Sequence, residues 1–152
     1  MPSAAPDVIE KTIRIAARPN TVFAYFTDPD KIAQWHGIEA DTQPQPGGLF
    51  RVNVTRQMVA RGEFLEVHPF TRLVFTWGWE GGNSPVPPGR STVEVTFTPD
   101  GDDTIVQLTH RGLPIETVQG HGDGWDHYLA RLQAVARGDD PGPDPWLQSP
   151  PS

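Results

Sequence analysis

The chain has 152 residues, a formal charge of −7 and no cysteine. The acidic balance excludes nonspecific nucleic-acid binding, which needs basic surface to displace counterions. Without thiols there is no disulfide, no cysteine nucleophile and no thiolate metal site, and the composition fits a cytoplasmic setting. One domain with a real core is the simplest organisation at this length. No apolar run approaches the roughly 20 residues that span a bilayer, and the start lacks the basic and apolar pattern of a secretory signal.

Taken in order, residues 1–7 are expected to be disordered. Val8 to Ala16 alternates Ile9, Lys11, Ile13 and Ile15 against Val8, Glu10, Thr12 and Arg14, the pattern of a half-buried strand. Pro19 suits the first turn of a helix, and Val22, Phe23 and Phe26 follow at helical spacing. Asp28 is an N-cap with Pro29 behind it, opening a second short helix, Lys31 to His36, with Ile32 and Trp35 on one face. Ile38 to Thr42 is a weak strand, and Gln43 to Gly48 is a turn whose glycines supply positive φ. Phe50, Val52 and Val54 alternate in Leu49 to Thr55. Arg56-Gln57 is a place for the chain to turn. Met58 to His68 and Leu73 to Glu80 are the next two strands, the second with Leu73, Phe75, Trp77 and Trp79 on one face. A Pro/Gly loop, Gly81 to Arg90, leads to Ser91–Thr98, where Val93, Val95 and Phe97 alternate. Pro99 to Asp103 is a hairpin turn, and Thr104 to Arg111 carries Val106, Leu108 and His110 on one face.

Gly120 to Gly138 reads as the last and longest helix. Trp125, Leu129, Leu132 and Ala136 share one face, widened by Tyr128 and Val135. Gly120, Gly122 and Gly124 weaken its approach, so the solid helix is expected from Gly122 or Asp123. Residues 139–152 form a Pro-rich tail in which Trp146-Leu147 is the one sticky point, able to dock on a neighbouring surface. One amphipathic helix after a run of strands buries its face on their sheet. The result is an α+β fold of about seven antiparallel strands, curved around the final helix.

These features resemble the helix-grip fold (START-like, birch-pollen-allergen-like) of the START-like or SRPBCC superfamily. Within it they resemble the homologues of the activator of heat-shock-protein-90 ATPase, C-terminal domain type. The residues that carry the likeness are Pro19 with Val22-Phe23, Asp28-Pro29 through Trp35, Pro46-Gly47-Gly48 before Phe50-Arg51, Gly62 with Leu65-Glu66-Val67, Arg72 to Trp77, and Gly124-Trp125 with Leu129 and Leu132. The resemblance implies one START-like domain over residues 8–138 and an apolar cavity between the long helix and the concave sheet. No cofactor is expected, and the histidine spacing with no cysteine gives no expected metal site. Members of the wider superfamily bind lipids, sterols, polyketides or plant metabolites, and a few are enzymes. The full-length eukaryotic activator has a further N-terminal domain for which this chain has no room, so a co-chaperone role is not the first expectation.

On this reading the ligand meets Phe50, Val52, Phe75, Trp77, Trp79 and Val95 on the sheet, with Leu108 and His110 beside them. Trp125 and Leu129 face it from the helix, and Trp35 and His121 border it. Each aromatic residue also reads as plain core, which is where tryptophans commonly close helix–sheet contacts. His110 is the candidate for acid–base chemistry, because a polar group on the apolar face needs a partner or a ligand. His121 is a candidate gate in the glycine-rich approach, His36 borders a cavity mouth or a solvated turn, and His68 is a surface residue. His121 and His127 are six apart and do not form a one-face metal pair. Arg56 and Arg61, if turned inward, would offer a counter-charge to an anionic head. No nucleophile elbow, phosphate loop or dinucleotide fingerprint is present.

Three functions follow. The first is binding of a small hydrophobic or amphipathic molecule in the cavity. The second is an enzyme of cyclase, lyase or hydrolase type in the same cavity, which needs a convergent polar set. The third is a chaperone cofactor or other interaction module acting through the outer surface. The exposed strand edges also leave a homodimer open.

Overall fold

The computed structural model describes residues 8–56, 58–82 and 84–147. The expected disordered start (residues 1–7), Gln57 of the expected turn, and the end of the tail (residues 148–152) lie outside the described residues.

The elements run β1 (Val8–Ile15), α1 (Pro19–Thr27), α2 (Pro29–Ile32), β2 (Glu39–Thr42), β3 (Leu49–Asn53), β4 (Val59–His68), β5 (Arg72–Trp77), β6 (Ser91–Asp100), β7 (Asp103–Arg111) and α3 (Val118–Ala136). Seven strands form one antiparallel sheet in the order β1-β7-β6-β5-β4-β3-β2. Each strand from β2 onward pairs with its neighbour in the chain. β1 instead pairs with β7, from Val8 opposite Arg111 to Ile15 opposite Thr104. The order is that of a helix-grip fold, with α3 lying against the face that the alternating residues present.

That face holds Phe50, Val52, Phe64, Leu73, Phe75, Val93, Val95, Phe97, Val106 and Leu108, all buried in one core with Leu129 and Leu132 of α3. Phe50 stacks on Phe75 with centroids 4.2 Å apart, and Phe64 meets both edge-on at 5.8 and 5.9 Å. A bulge in the β4–β5 pairing falls between Phe64 and Glu66 and turns Leu65 out to solvent. Asp28 caps α2 as expected, its Oδ1 accepting from the Asp30 N–H at 2.9 Å.

Several boundaries differ from the sequence-based expectation: β5 ends at Trp77 rather than Glu80, β3 at Asn53 rather than Thr55, β6 runs on to Asp100, and two helices shift. The second short helix is Pro29–Ile32, and Ala33 to His36 continue only as turns. The long helix begins at Val118, about one turn before Gly122, on a 3₁₀ turn at Ile115–Thr117. Glycine costs a helix about 1 kcal/mol relative to alanine. Burial of Gly122, Trp125 and Tyr128 against the rest of the fold outweighs that cost here.

Gly62 shows how closely β4 and β5 approach. A Cβ built there would overlap the Thr76 carbonyl, and backbone has no room to yield. Gly62→Ala is expected to destabilise the protein by about 3 kcal/mol through overpacking, read as a lower denaturation midpoint with an unchanged slope.

Candidate functional site

At one end of the sheet the core opens into a cavity of about 320 Å³. The last residues of β5 and the segment after it supply Trp77 and Trp79; Trp79 still bridges to Ala60 of β4. The turn after β3 supplies Val54 and Thr55, the turn after α2 supplies His36, and the first half of α3 supplies Gly120, His121, Gly124, Trp125 and Tyr128. Glu116 and Thr117 stand at the approach to α3. The chain beyond α3 turns back and adds Trp146.

Two histidines are consumed by hydrogen bonds. The Trp125 indole N–H donates to His110 Nδ1 at 3.0 Å, so that nitrogen carries no proton. His110 Nε2–H then donates to Ser91 Oγ at 2.8 Å, and the Ser91 hydroxyl donates to the Trp77 carbonyl at 2.8 Å. His110 is fully buried, and burial pushes its pKa down to about 3. His121 repeats the arrangement nearer the surface. Its Nδ1–H donates to the Thr117 carbonyl at 2.8 Å and its Nε2 accepts from the Trp79 indole at 2.9 Å. Burial lowers the His121 pKa as well, against the bond to Thr117.

Other polar groups of the lining have no such partners. Among the described residues, Thr55 Oγ1 and Trp77 Nε1 are buried with no hydrogen-bond partner in the protein, and the Tyr128 hydroxyl faces the Asp144 carboxylate without a well-formed bond to it. His36 is buried among Trp35, Trp77, Trp125 and Tyr128, parallel to the Trp77 ring at 5.8 Å. Burial pushes its pKa down to about 3, so the ring is neutral near pH 7. Burial raises the Tyr128 phenol and the nearby Asp144 charge raises it further. Among the described residues, the lining contains no lysine or arginine. Its chemistry is therefore apolar and aromatic, with uncharged donors and acceptors left open. Among the described residues no three His, Asp or Glu side chains converge as a metal group.

Of the residues expected against a ligand, Trp77, Trp79, His121 and Trp125 line the cavity. Trp35, Phe50, Val52, Phe75, Val95, Leu108, His110 and Leu129 do not; they are buried in the core. The physical reason is that the middle of the sheet is filled by its own side chains, as the Phe50–Phe75 stack shows. His110 lies one layer below the cavity, as the partner of the Trp125 indole. Arg56 and Arg61 do not turn inward. Arg56 is exposed at φ 70°, and Arg61 joins Arg51 on Glu80 at the outer face, at 3.5 and 2.8 Å. His68 is exposed beside Glu66, as expected. Sequence reasoning missed Tyr128, Thr55 and Trp146 as lining residues, and His36 sits inside the site rather than at a solvated turn. The available signals were Tyr128, which widens the apolar face of the helix, and Trp146, the sticky point of the tail.

A curved seven-stranded antiparallel sheet gripping a long C-terminal helix defines a helix-grip protein of the START-like superfamily. The chain belongs to the Activator of Hsp90 ATPase homolog 1-like family, whose model matches residues 16–137. An AHSA1-like protein of Rhizobium etli, solved in solution, is 50% identical; the match covers 91% of this chain and 87% of that one, with a TM-score of 0.72. CalU16 of Micromonospora echinospora is 29% identical over 95% of this chain and 73% of its own, with a TM-score of 0.76. An uncharacterized protein of Schizosaccharomyces pombe is 29% identical over 138 residues, 84% of this chain. The match spans only 36% of that longer relative.

Proposed function

We propose that this protein binds a small hydrophobic or amphipathic molecule in the cavity between α3 and the end of the sheet. The observation that carries the reading is the pair of buried, unpartnered polar atoms on Thr55 and Trp77, among the described residues of an aromatic lining. An unmade buried hydrogen bond costs about 1–3 kcal/mol, and a ligand carrying complementary atoms would remove that cost. Aromatic walls with a few such groups are the usual make-up of a small-molecule site. Turnover is the weaker reading, because His110 and His121 are already committed to indole donors. His36, held near pKa 3, has little proton affinity to offer as a base at neutral pH.

The test is native mass spectrometry of the purified protein against its denatured mass, followed by titration with the uncharged apolar dye Nile red. A retained small molecule, or saturable dye binding to the native fold, is the expected result. A bare protein that also ignores the dye would move the function to the outer surface, toward an interaction role of the kind in the family's name.

A further inference from the structure

The stretch Asp139–Leu147 follows α3 and folds back along it. The Asp139 N–H bonds the Ala134 carbonyl at 2.9 Å, and Arg131 Nη2 donates to the Gly142 carbonyl at 2.8 Å. Asp144 is buried at 7% exposure, with Oδ1 2.8 Å from His127 Nε2 and 3.0 Å from the Trp146 N–H. Trp146 stacks flat on His127, centroids 3.8 Å apart at 7°, and stands edge-on to Tyr128 at 5.7 Å. These contacts hold the Trp146 ring at the cavity, where it forms part of the lining. The family match ends at residue 137, so this wall comes from outside the matched region.

Charge follows the same segment. Asp144 Oδ2 is buried and faces the Tyr128 hydroxyl without a well-formed hydrogen bond to it. Two cavity groups, Tyr128 and His36, feel the Asp144 carboxylate. Among the described residues Glu116 is the one formally charged side chain of the lining. Asp144 lies behind the lining, paired with His127 at 2.8 Å, and Arg131 also lies outside it. A carboxylate ligand entering this space would lose water and meet charge of its own sign.

We propose that the arm Asp139–Leu147 is the selectivity element of the site: Trp146 is the wall on which a flat, uncharged ligand packs, and the buried Asp144 carboxylate turns away anionic ones. The proposal rests on the ligand-binding reading above and names its class of ligand, a compact aromatic molecule without negative charge. Free fatty acids and aromatic carboxylates are thereby excluded.

The test uses one ring system in two charge states, methyl 2-naphthoate and 2-naphthoate at pH 7.5, with the full chain. Affinity and the indole N–H resonances of the five tryptophans are both read by NMR titration. The ester is expected to bind about tenfold tighter than the carboxylate, a modest gap for like charges at an intermediate dielectric. Trp146→Ala should weaken the ester about tenfold and Trp146→Phe should leave it within about threefold, since the ring face is what matters. Asp144→Asn should narrow the ester–carboxylate gap to under about threefold, while Asp144→Glu, which keeps the charge, should retain it. A parent chain that takes the carboxylate as well as the ester overturns the proposal. So does a Trp146→Ala variant with the parent's ester affinity. If neither naphthalene compound nor the uncharged dye Nile red binds, the ligand-binding reading fails and takes this one with it. If both compounds bind and the variants change nothing, the arm's role alone fails.

Discussion

Gly124→Leu is expected to abolish ligand uptake and raise stability in the same protein. Gly124 lies within α3, lines the cavity, and would carry a Cβ with nothing within 4 Å of it. A leucine there projects into the space a ligand needs. It also removes the entropic cost of a mid-helix glycine, about 0.5–1 kcal/mol. For a domain of this size that is a rise in Tm of about 1–4 °C. Nile red affinity should fall about a hundredfold or beyond detection, since the side chain and the dye compete for one volume. Binding lost together with stability would mean misfolding, and binding retained at higher stability would place the ligand elsewhere. The opposed directions of the two readouts make the variant informative.

Acidification from pH 7 to pH 5 is expected to remove about 4 kcal/mol of folding stability. His36 and His110 each have a folded pKa of about 3, against an ordinary 6.5, with burial as the leading cause. The unfolded chain therefore takes up two protons between pH 6.5 and 3 that the folded chain refuses. Stability is flat above pH 6.5 and falls as pH drops below it. At 1.36 kcal/mol per pH unit, each site has lost about 2 kcal/mol by pH 5. His121, also lowered by burial, acts in the same direction. Asp144 and Glu80 have depressed pKa values: burial opposes the shift in Asp144, where the Trp146 N–H and His127 outweigh it, and Arg51 is the main cause for Glu80. Their contributions are lost only as pH falls through the carboxylate range, so the window from 7 to 5 isolates the histidines. Urea denaturation followed by circular dichroism at several pH values measures the slope. His36→Phe, which keeps an aromatic ring in the stack without a titrating nitrogen, should remove one proton from it. An unchanged slope in that variant would refute the assignment.

Most of the fold was legible because burial on one face of a sheet imposes a period of two. Phe50 and Val52, Val93 and Val95, and Val106 and Leu108 are buried as their alternation requires. The start of α3 was less legible, since local propensity speaks against Gly120, Gly122 and Gly124 and only the packed structure speaks for them. The site was legible in part. Trp77, Trp79, His121 and Trp125 sit where the aromatic face meets the helix approach, and both ends of that contact carry a recognisable pattern. Alternation tells which residues face inward but not where the interior is left unfilled. Phe75 and Trp77 are therefore alike in sequence, yet one packs on Phe50 and the other lines the cavity. His36 and Trp146 lie in a turn and in a segment without periodicity. Nothing local marks them as neighbours of Tyr128, which only the path of the chain brings to them.

The pairing of β1 with β7 governs how the protein is made. Ile15 must wait for Thr104, so the first strand leaves the ribosome with no partner while roughly 90 more residues are synthesised. Closing a loop of that length costs on the order of 4 kcal/mol of chain entropy by the logarithmic law. The strands from β2 to β7 can assemble in sequence by local hairpins, whereas this last closure raises the contact order and slows folding toward milliseconds to seconds. Until then both Val8–Ile15 and the open edge of β7 are unpaired strand templates. Aggregation during overexpression should thus begin at β1, and a helper that shields an emerging strand would act there first.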